Sequence, residues 1–213
     1  CRYLHVPAQS GSDRMLKAMN RGYTVEQYRA FIERARTMMP DVMIASDFIV
    51  GFPGETDEDF QQTVDLLRWA RFKNSFIFKY SPRPGTVAYD KLPDDVPEET
   101  KRQRNVDLLA AQSEISQEIH QAMVGQTVEV LVEGVSQKAR KQHGGDVELR
   151  WEKPQTTTQL SGRTRGDLIV MFDGPAAWTG QLVQVRIDDA KPLTLFGQAV
   201  CDTGAAHEVA QVG

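Results

Sequence analysis

Ser46-Asp47-Phe48-Ile49-Val50-Gly51-Phe52-Pro53-Gly54-Glu55-Thr56 joins a mostly apolar strand to a tight turn and then to a capped helix. A parallel strand covered on both faces reads as a continuous apolar run. Here a carboxylate interrupts the run near its end, so something polar is expected beside that strand end. Strand alternation puts Asp47 and Ile49 on one face, and an acid beside an apolar contact suits a ribose hydroxyl beside an adenine ring. Asp47 also fits a helix cap or an ion pair, and Gly51-Phe52-Pro53-Gly54 also fits a plain turn into the next helix.

The same alternation of strand and helix extends to both sides. Arg2 to Val6 reads as a short strand, and Gln9-Ser10-Gly11-Ser12 turns into a helix carrying Met15, Leu16 and Met19, with Gly22 as its expected end. Thr24 and Gln27 form a capping box for a second helix with Tyr28, Phe31, Ile32, Ala35 and Met39 on one side, stopped by Pro40. Val42 to Val50 is the second strand. Thr56 caps a third helix with Phe60, Val64 and Leu67 inward and Asp57, Glu58 and Asp59 in its first turn, as the helix dipole favours. Ser75 to Tyr80 is the third strand, and a long helix from Glu98 to Met123 follows Pro93 to Pro97. Strands separated by helical crossovers imply a parallel sheet. Three such units are too few to close a barrel, so a parent barrel would contribute only its second half here.

After Gly125 the period changes to two. Thr127 to Val135, Val147 to Glu152, Leu168 to Phe172, Leu182 to Ile187 and Thr194 to Val200 read as five short strands, enough for a small all-β barrel. The expected division is 1–123 for the α/β part with its linking helix, 124–200 for the barrel, and 201–213 for a disordered tail.

The 213 residues carry 25 basic and 29 acidic side chains, a net charge of -4, which removes a global basic signature of nucleic-acid binding. No DNA partner is expected, and RNA affinity would need a local patch. One exists: between 134 and 165, Lys138, Arg140, Lys141, Arg150, Lys153, Arg163 and Arg165 face only Asp146, Glu148 and Glu152. A basic face on a small barrel can track phosphates, although an ordinary charged loop would read the same way. Cys1 and Cys201 lack metal-ligand spacing, which argues against a zinc site or a disulfide scaffold and makes a reducing cytoplasm the simplest compartment. No apolar run reaches the roughly 18 residues of a membrane span, so no membrane partner is expected. The chain opens on strand-like residues without an initiator methionine and is expected to be a fragment.

Ligands of parallel α/β sheets gather at the C-terminal ends of the strands. Three polar sets fall there: Gln9 and Ser10, Asp47, and Ser81 with Arg83. They are expected to converge on one pocket. Arg21 also fits a solvated residue near a helix end, and His5 fits a hydrogen-bonded strand histidine better than a metal ligand or base.

Leu4 to Asp13, Leu16-Lys17-Ala18-Met19-Asn20-Arg21, Ser46 to Thr56 and Tyr80-Ser81-Pro82-Arg83-Pro84-Gly85-Thr86 together resemble the radical-SAM methylthiotransferases, and Gly125 to Val200 resembles that family's TRAM domain. The implied fold class is α/β, the C-terminal half of a radical-SAM (β/α) partial barrel followed by a small all-β TRAM barrel. The Tyr80 to Thr86 form resembles the tRNA-modifying branch; the branch acting on a ribosomal-protein aspartate usually has an acid near Arg83. The resemblance implies S-adenosyl-L-methionine, with Gln9 and Asp47 at its ribose, Ile49 and Ser81 at its adenine, and Ser10 and Gly51 beside them. Arg21, twelve residues beyond Gln9, would pair with its methionine carboxylate. It implies 4Fe-4S clusters in the parent protein, hydrogen abstraction from adenine C2, sulfur insertion and methyl transfer. It further implies binding of the tRNA anticodon arm through Lys138, Arg140, Lys141, Arg163 and Arg165. The family's CxxxCxxC loop and its N-terminal cluster domain have no counterpart in these residues. The chain by itself is therefore expected to be inactive and to rely on N-terminal domains of the same parent. Outside the enzyme class, a standalone RNA-binding module is the competing reading.

Overall fold

The computed structural model describes residues 1–137, 139 and 157–200. The expected strand at 147–152, the expected disordered tail and the candidates Lys138, Arg140 and Lys141 lie outside the described residues. Two compact units result, one formed by Cys1–Ala122 with the short stretches Arg165–Asp167 and Lys191–Leu193, the other by the remaining described residues.

In the first unit β1 (Tyr3–His5), β2 (Met43–Val50) and β3 (Asn74–Lys79) form a parallel sheet in that order, Tyr3 opposite Met43 and Ala45 opposite Asn74. The crossovers carry α1 (Asp13–Ala18) and α2 (Val25–Met38), then α3 (Asp57–Ala70). Period-two alternation in β2 sends Ile44, Phe48 and Val50 into a core with Ile32, Leu66, Leu67, Phe72, Leu108 and Ile115. Buried among them, Ser46 donates to the carbonyl of Val6 and accepts from the N–H of Ala8. Tyr28 donates to the same carbonyl at 2.6 Å, and burial pushes its phenol up to about 12, so it remains a neutral donor. The opposite face of the sheet is open: Phe76 and Phe78 of β3 are 51% and 56% exposed.

Several local readings are corrected. Gly22 does not end α1; the helix stops at Ala18, and Asn20 takes the left-handed conformation at φ 58° while the N–H of Arg21 bonds the carbonyl of Leu16. Phe31 is 48% exposed, because Tyr28, Ile32 and Ala35 of α2 are the residues buried against the sheet and Phe31 points away from them. In α3 the expected Phe60, Val64 and Leu67 do pack on the core, and Asp59, Thr63, Leu66 and Ala70 are buried beside them. A short α4 (Val87–Lys91), capped by Thr86, was not foreseen. The long α5 runs Glu98–Gln121 and buries Lys101 and Arg104 as well as its apolar row.

The second unit is a closed barrel in the order β4-β5-β6-β8-β7, made of β4 (Thr127–Val135), β5 (Thr158–Thr164), β6 (Ile169–Gly174), β7 (Leu182–Lys191) and β8 (Thr194–Ala199). Val130, Val132, Leu160, Val170, Phe172, Val185, Ile187 and Leu195 fill it. Strand β5 escaped the sequence reading because Gln159, Ser161 and Gly162 blur its alternation. A Cβ at Gly162 would stand 2.5 Å from the carbonyl oxygen of Leu131, so the barrel requires glycine there.

Candidate functional site at the strand ends

Beyond β1 the chain keeps its pairing with β2. The N–H of Gln9 donates to the carbonyl of Asp47 (2.8 Å), and the carbonyl of Gln9 accepts from Ile49 (2.9 Å). Gln9 then takes φ 67°, a left-handed conformation that costs a non-glycine residue about 1 to 3 kcal/mol. The turn that follows packs onto α3. Thr63 Oγ1 accepts from the N–H of Gly11 and shares a 3.2 Å bond with Ser10 Oγ. A Cβ on Gly11 would sit 2.2 Å from the carbonyl oxygen of Gln62. Ser10 is 1% exposed and its hydroxyl also accepts from the N–H of Ser12. Its side chain is therefore directed toward α3 and away from the strand-end cleft.

The loop after β2 is held by charge. Gly51 and Gly54 have φ 71° and 76°, and a Cβ on Gly51 would lie 2.3 Å from Cγ of the buried Lys101. Gly51 thus contributes backbone only, and its N–H donates to Glu55 Oε2 at 2.7 Å. Arg104 donates to the same oxygen at 2.8 Å, to the carbonyl of Glu55 and to Asp57. Burial pushes the Glu55 carboxyl up, while the Gly51 N–H and Arg104 pull it down. Asp95 accepts from the N–H of Gly54, Arg14 bonds the carbonyl of Gly54, and Lys101 pairs with Asp94 while lying 5.4 Å from the ring of Tyr80. None of Glu55, Lys101 or Arg104 was singled out from the sequence. Their partners lie on different elements, and no local pattern joins them.

Two adjoining cavities of about 510 and 580 Å³ open at this end of the sheet and share Ile49, Phe52, Thr86 and Ala88 as a wall. Ser81 and Arg83 line the first with Phe78 and Tyr80; Arg21 and Lys91 line the second with Met19. Phe52 stands edge-on to Tyr80 with ring centroids 5.0 Å apart, which stiffens the shared wall. Apolar surface with a few cations is the composition of a site for a flat ring bearing a charged or polar substituent. Ile49 lines both cavities, Arg21 only the second and Ser81 only the first, while Gln9 and Asp47 line neither, so the one pocket expected from the sequence is divided. Asp47 sits one pleat before Ile49 on the same face, its side chain 25% exposed and bonded to His5 Nε2 at 2.9 Å. Asp47 thus has a hydrogen-bonding partner on a strand 42 residues away.

An iron-sulfur cluster finds no matching donor set. Among the described residues no group of three or more His, Cys, Asp or Glu could hold a metal ion, and the sequence contains two cysteines in all. On the barrel, Arg163 bonds Glu133 at 3.1 Å with both side chains partly exposed, whereas Arg165, exposed in the turn after β5, is grouped with the first unit. No helix among the described residues is long and apolar enough to cross a membrane.

Residues 1–67 match the radical SAM superfamily and residues 140–200 the TRAM domain. The tRNA-2-methylthio-N(6)-dimethylallyladenosine synthase of Rhodopirellula baltica is 53% identical over 92% of this chain and 39% of its own length. The protein of the same name from Porphyromonas gingivalis is 42% identical over 94% and 40%. Coproporphyrinogen III oxidase (HemN) from Escherichia coli, a radical SAM enzyme, is 22% identical with a TM-score of 0.46 over 55% of this chain and 27% of that one, too slight a likeness to carry an argument. The chain spans about two fifths of the length of the curated relatives it matches. Over more than nine tenths of its length the chain is thus similar to part of these synthases, with a radical SAM match in its first 67 residues and a TRAM match near its end.

Proposed function

We propose that this chain is the part of a tRNA methylthiotransferase that receives the nucleoside of S-adenosyl-L-methionine and grips tRNA. The whole protein would add a methylthio group to C2 of N6-isopentenyladenosine at position 37. The observation that carries the reading is the convergence of Arg21, Ile49 and Ser81 on the strand-end cavities, with Asp47 on the adjoining pleat. Asp47 accepts hydrogen bonds from ribose hydroxyls, with Gln9 beside it. Ile49 and Phe52 pack on adenine, and the Arg21 guanidinium pairs with the methionine carboxylate. When bound, S-adenosylmethionine supplies the hydrogen-abstracting radical and the methyl group. Generating that radical calls for cluster ligands that these residues do not provide, so the reaction requires further sequence of the parent protein. The relatives' names and the TRAM match support tRNA as substrate, and the anticodon arm is the part that the barrel would hold. Mass spectrometry of tRNA nucleosides from a deletion strain tests the assignment. The expected result is loss of the 2-methylthio adenosine; its persistence, with no second enzyme able to make it, overturns the reading.

Asp47→Ala in the parent protein should weaken S-adenosylmethionine binding by about 1 to 3 kcal/mol, the range for a hydrogen bond to a charged group. Calorimetric titration checks this, and unchanged affinity removes Asp47 from the site. Replacing Arg163 and Arg165 together by glutamate should weaken tRNA binding and flatten its dependence on salt, by about 0.7 to 0.9 in log-log slope for each phosphate no longer neutralised. A wild-type slope in filter binding would show that these arginines do not meet the RNA.

A further inference from the structure

On the open face of the sheet, outside the lining of both cavities, His5 and Asp47 form a pair whose geometry is more constrained than a surface ion pair requires. His5 ends β1 opposite Ala45, and Asp47 lies one pleat farther along β2. From there the imidazole reaches along β2 to Asp47, placing Nε2 2.9 Å from Oδ1. Across the next strand Asp47 is opposite Phe76, and the His5 ring stacks over Phe76 with centroids 6.0 Å apart and planes 26° apart. An ionised carboxylate only accepts, so Nε2 carries a hydrogen. Among the described residues Asp47 Oδ2 takes no hydrogen bond, and the side chain is 25% exposed on the side of Ile49.

We infer that His5 is a positioning residue: seated on Phe76, it fixes one oxygen of Asp47 so that the other is presented to the vicinal hydroxyls of a ribose. The inference rests on the nucleoside reading of this cleft and adds a residue to it. A carboxylate without this donor rotates freely about its terminal bond, and its preference for a diol falls accordingly. A glutamine at position 5 places its amide nitrogen near the site of Nε2 and can donate the same bond, whereas leucine cannot.

The test is titration of the chain with adenosine and with 2′,3′-dideoxyadenosine, followed by NMR, in wild type, His5→Leu and His5→Gln. Wild type is expected to favour adenosine by about tenfold, because a site built to bond hydroxyls rejects the analogue lacking them. His5→Leu should bring that ratio to about one while leaving the dideoxyadenosine affinity in place, and His5→Gln should restore most of it. Folding is not expected to intervene, since His5 is 37% exposed at the side chain. A wild-type ratio retained in His5→Leu, or a ratio that His5→Gln fails to restore, overturns the inference alone. A wild-type ratio of one, or absence of binding by either nucleoside, overturns the nucleoside reading and the inference with it.

Discussion

Arg104→Ala is expected to cost the protein about 3 to 5 kcal/mol, the range for removing one partner of a buried ion pair. Its side chain is 7% exposed, that of Glu55 is fully buried, and the Glu55 carboxylate also accepts from the N–H of Gly51. Truncating the arginine strands that charge in a low-dielectric interior and removes the bonds to the Glu55 carbonyl and to Asp57. Because desolvating the pair already offsets much of its attraction, Arg104→Leu combined with Glu55→Leu should recover a large part of the loss. Urea unfolding of the single and double variants measures both effects. A single-variant loss below about 1 kcal/mol would show that the loop is held by other contacts.

Asp59→Ala should cost about 2 to 4 kcal/mol, combining the loss of a helix cap with that of charged hydrogen bonds. Asp59 Oδ1 accepts from Ser12 Oγ at 2.6 Å, Oδ2 accepts from the N–H and hydroxyl of Thr56, and Arg14 pairs with it. Burial pushes this carboxyl up, but the bonds from Arg14, Ser12 and Thr56 outweigh burial and hold it well below the usual carboxylate range. The folded value is depressed, so the stabilisation is fully present above the unfolded carboxyl's pKa of about 4 and is lost as pH falls toward the folded value. Wild type should therefore lose stability on acidification below about pH 4 more steeply than Asp59→Ala. Melting temperatures at pH 7, 4 and 3 check this; parallel acid limbs would contradict it.

The parallel sheet and its helices were legible because β2 combines an apolar run with caps and turn residues at both ends, all local signals. Thr24 with Gln27 and Thr56 with Asp59 form the capping boxes that fix the starts of α2 and α3. The facing of Asp47 and Ile49 followed from pleat alone. What stayed hidden depends on distant partners. Ser10 belongs to Thr63, Glu55 to Arg104 and His5 to Asp47, pairs separated by 53, 49 and 42 residues. Charged residues on α5 suggest a solvated face when read by helical period, yet Lys101 and Arg104 are buried because Asp94 pairs with the first, Glu55 and Asp57 pair with the second, and Gly51 leaves the space. Strand β5 was missed for the opposite reason: closure of the barrel favours glycine over the side chain that would have marked a strand.

On the reading proposed above, the strand-end cleft takes the nucleoside of S-adenosylmethionine. Titrating the isotopically labelled chain with S-adenosylhomocysteine while recording amide NMR shifts tests it most directly. The predicted result is a saturable set of shifts at Arg21, Asp47, Ile49, Gly51 and Ser81. Shifts confined instead to the separate cavity lined by Gly11, Arg14 and Gln62, or no saturable shifts, would contradict it.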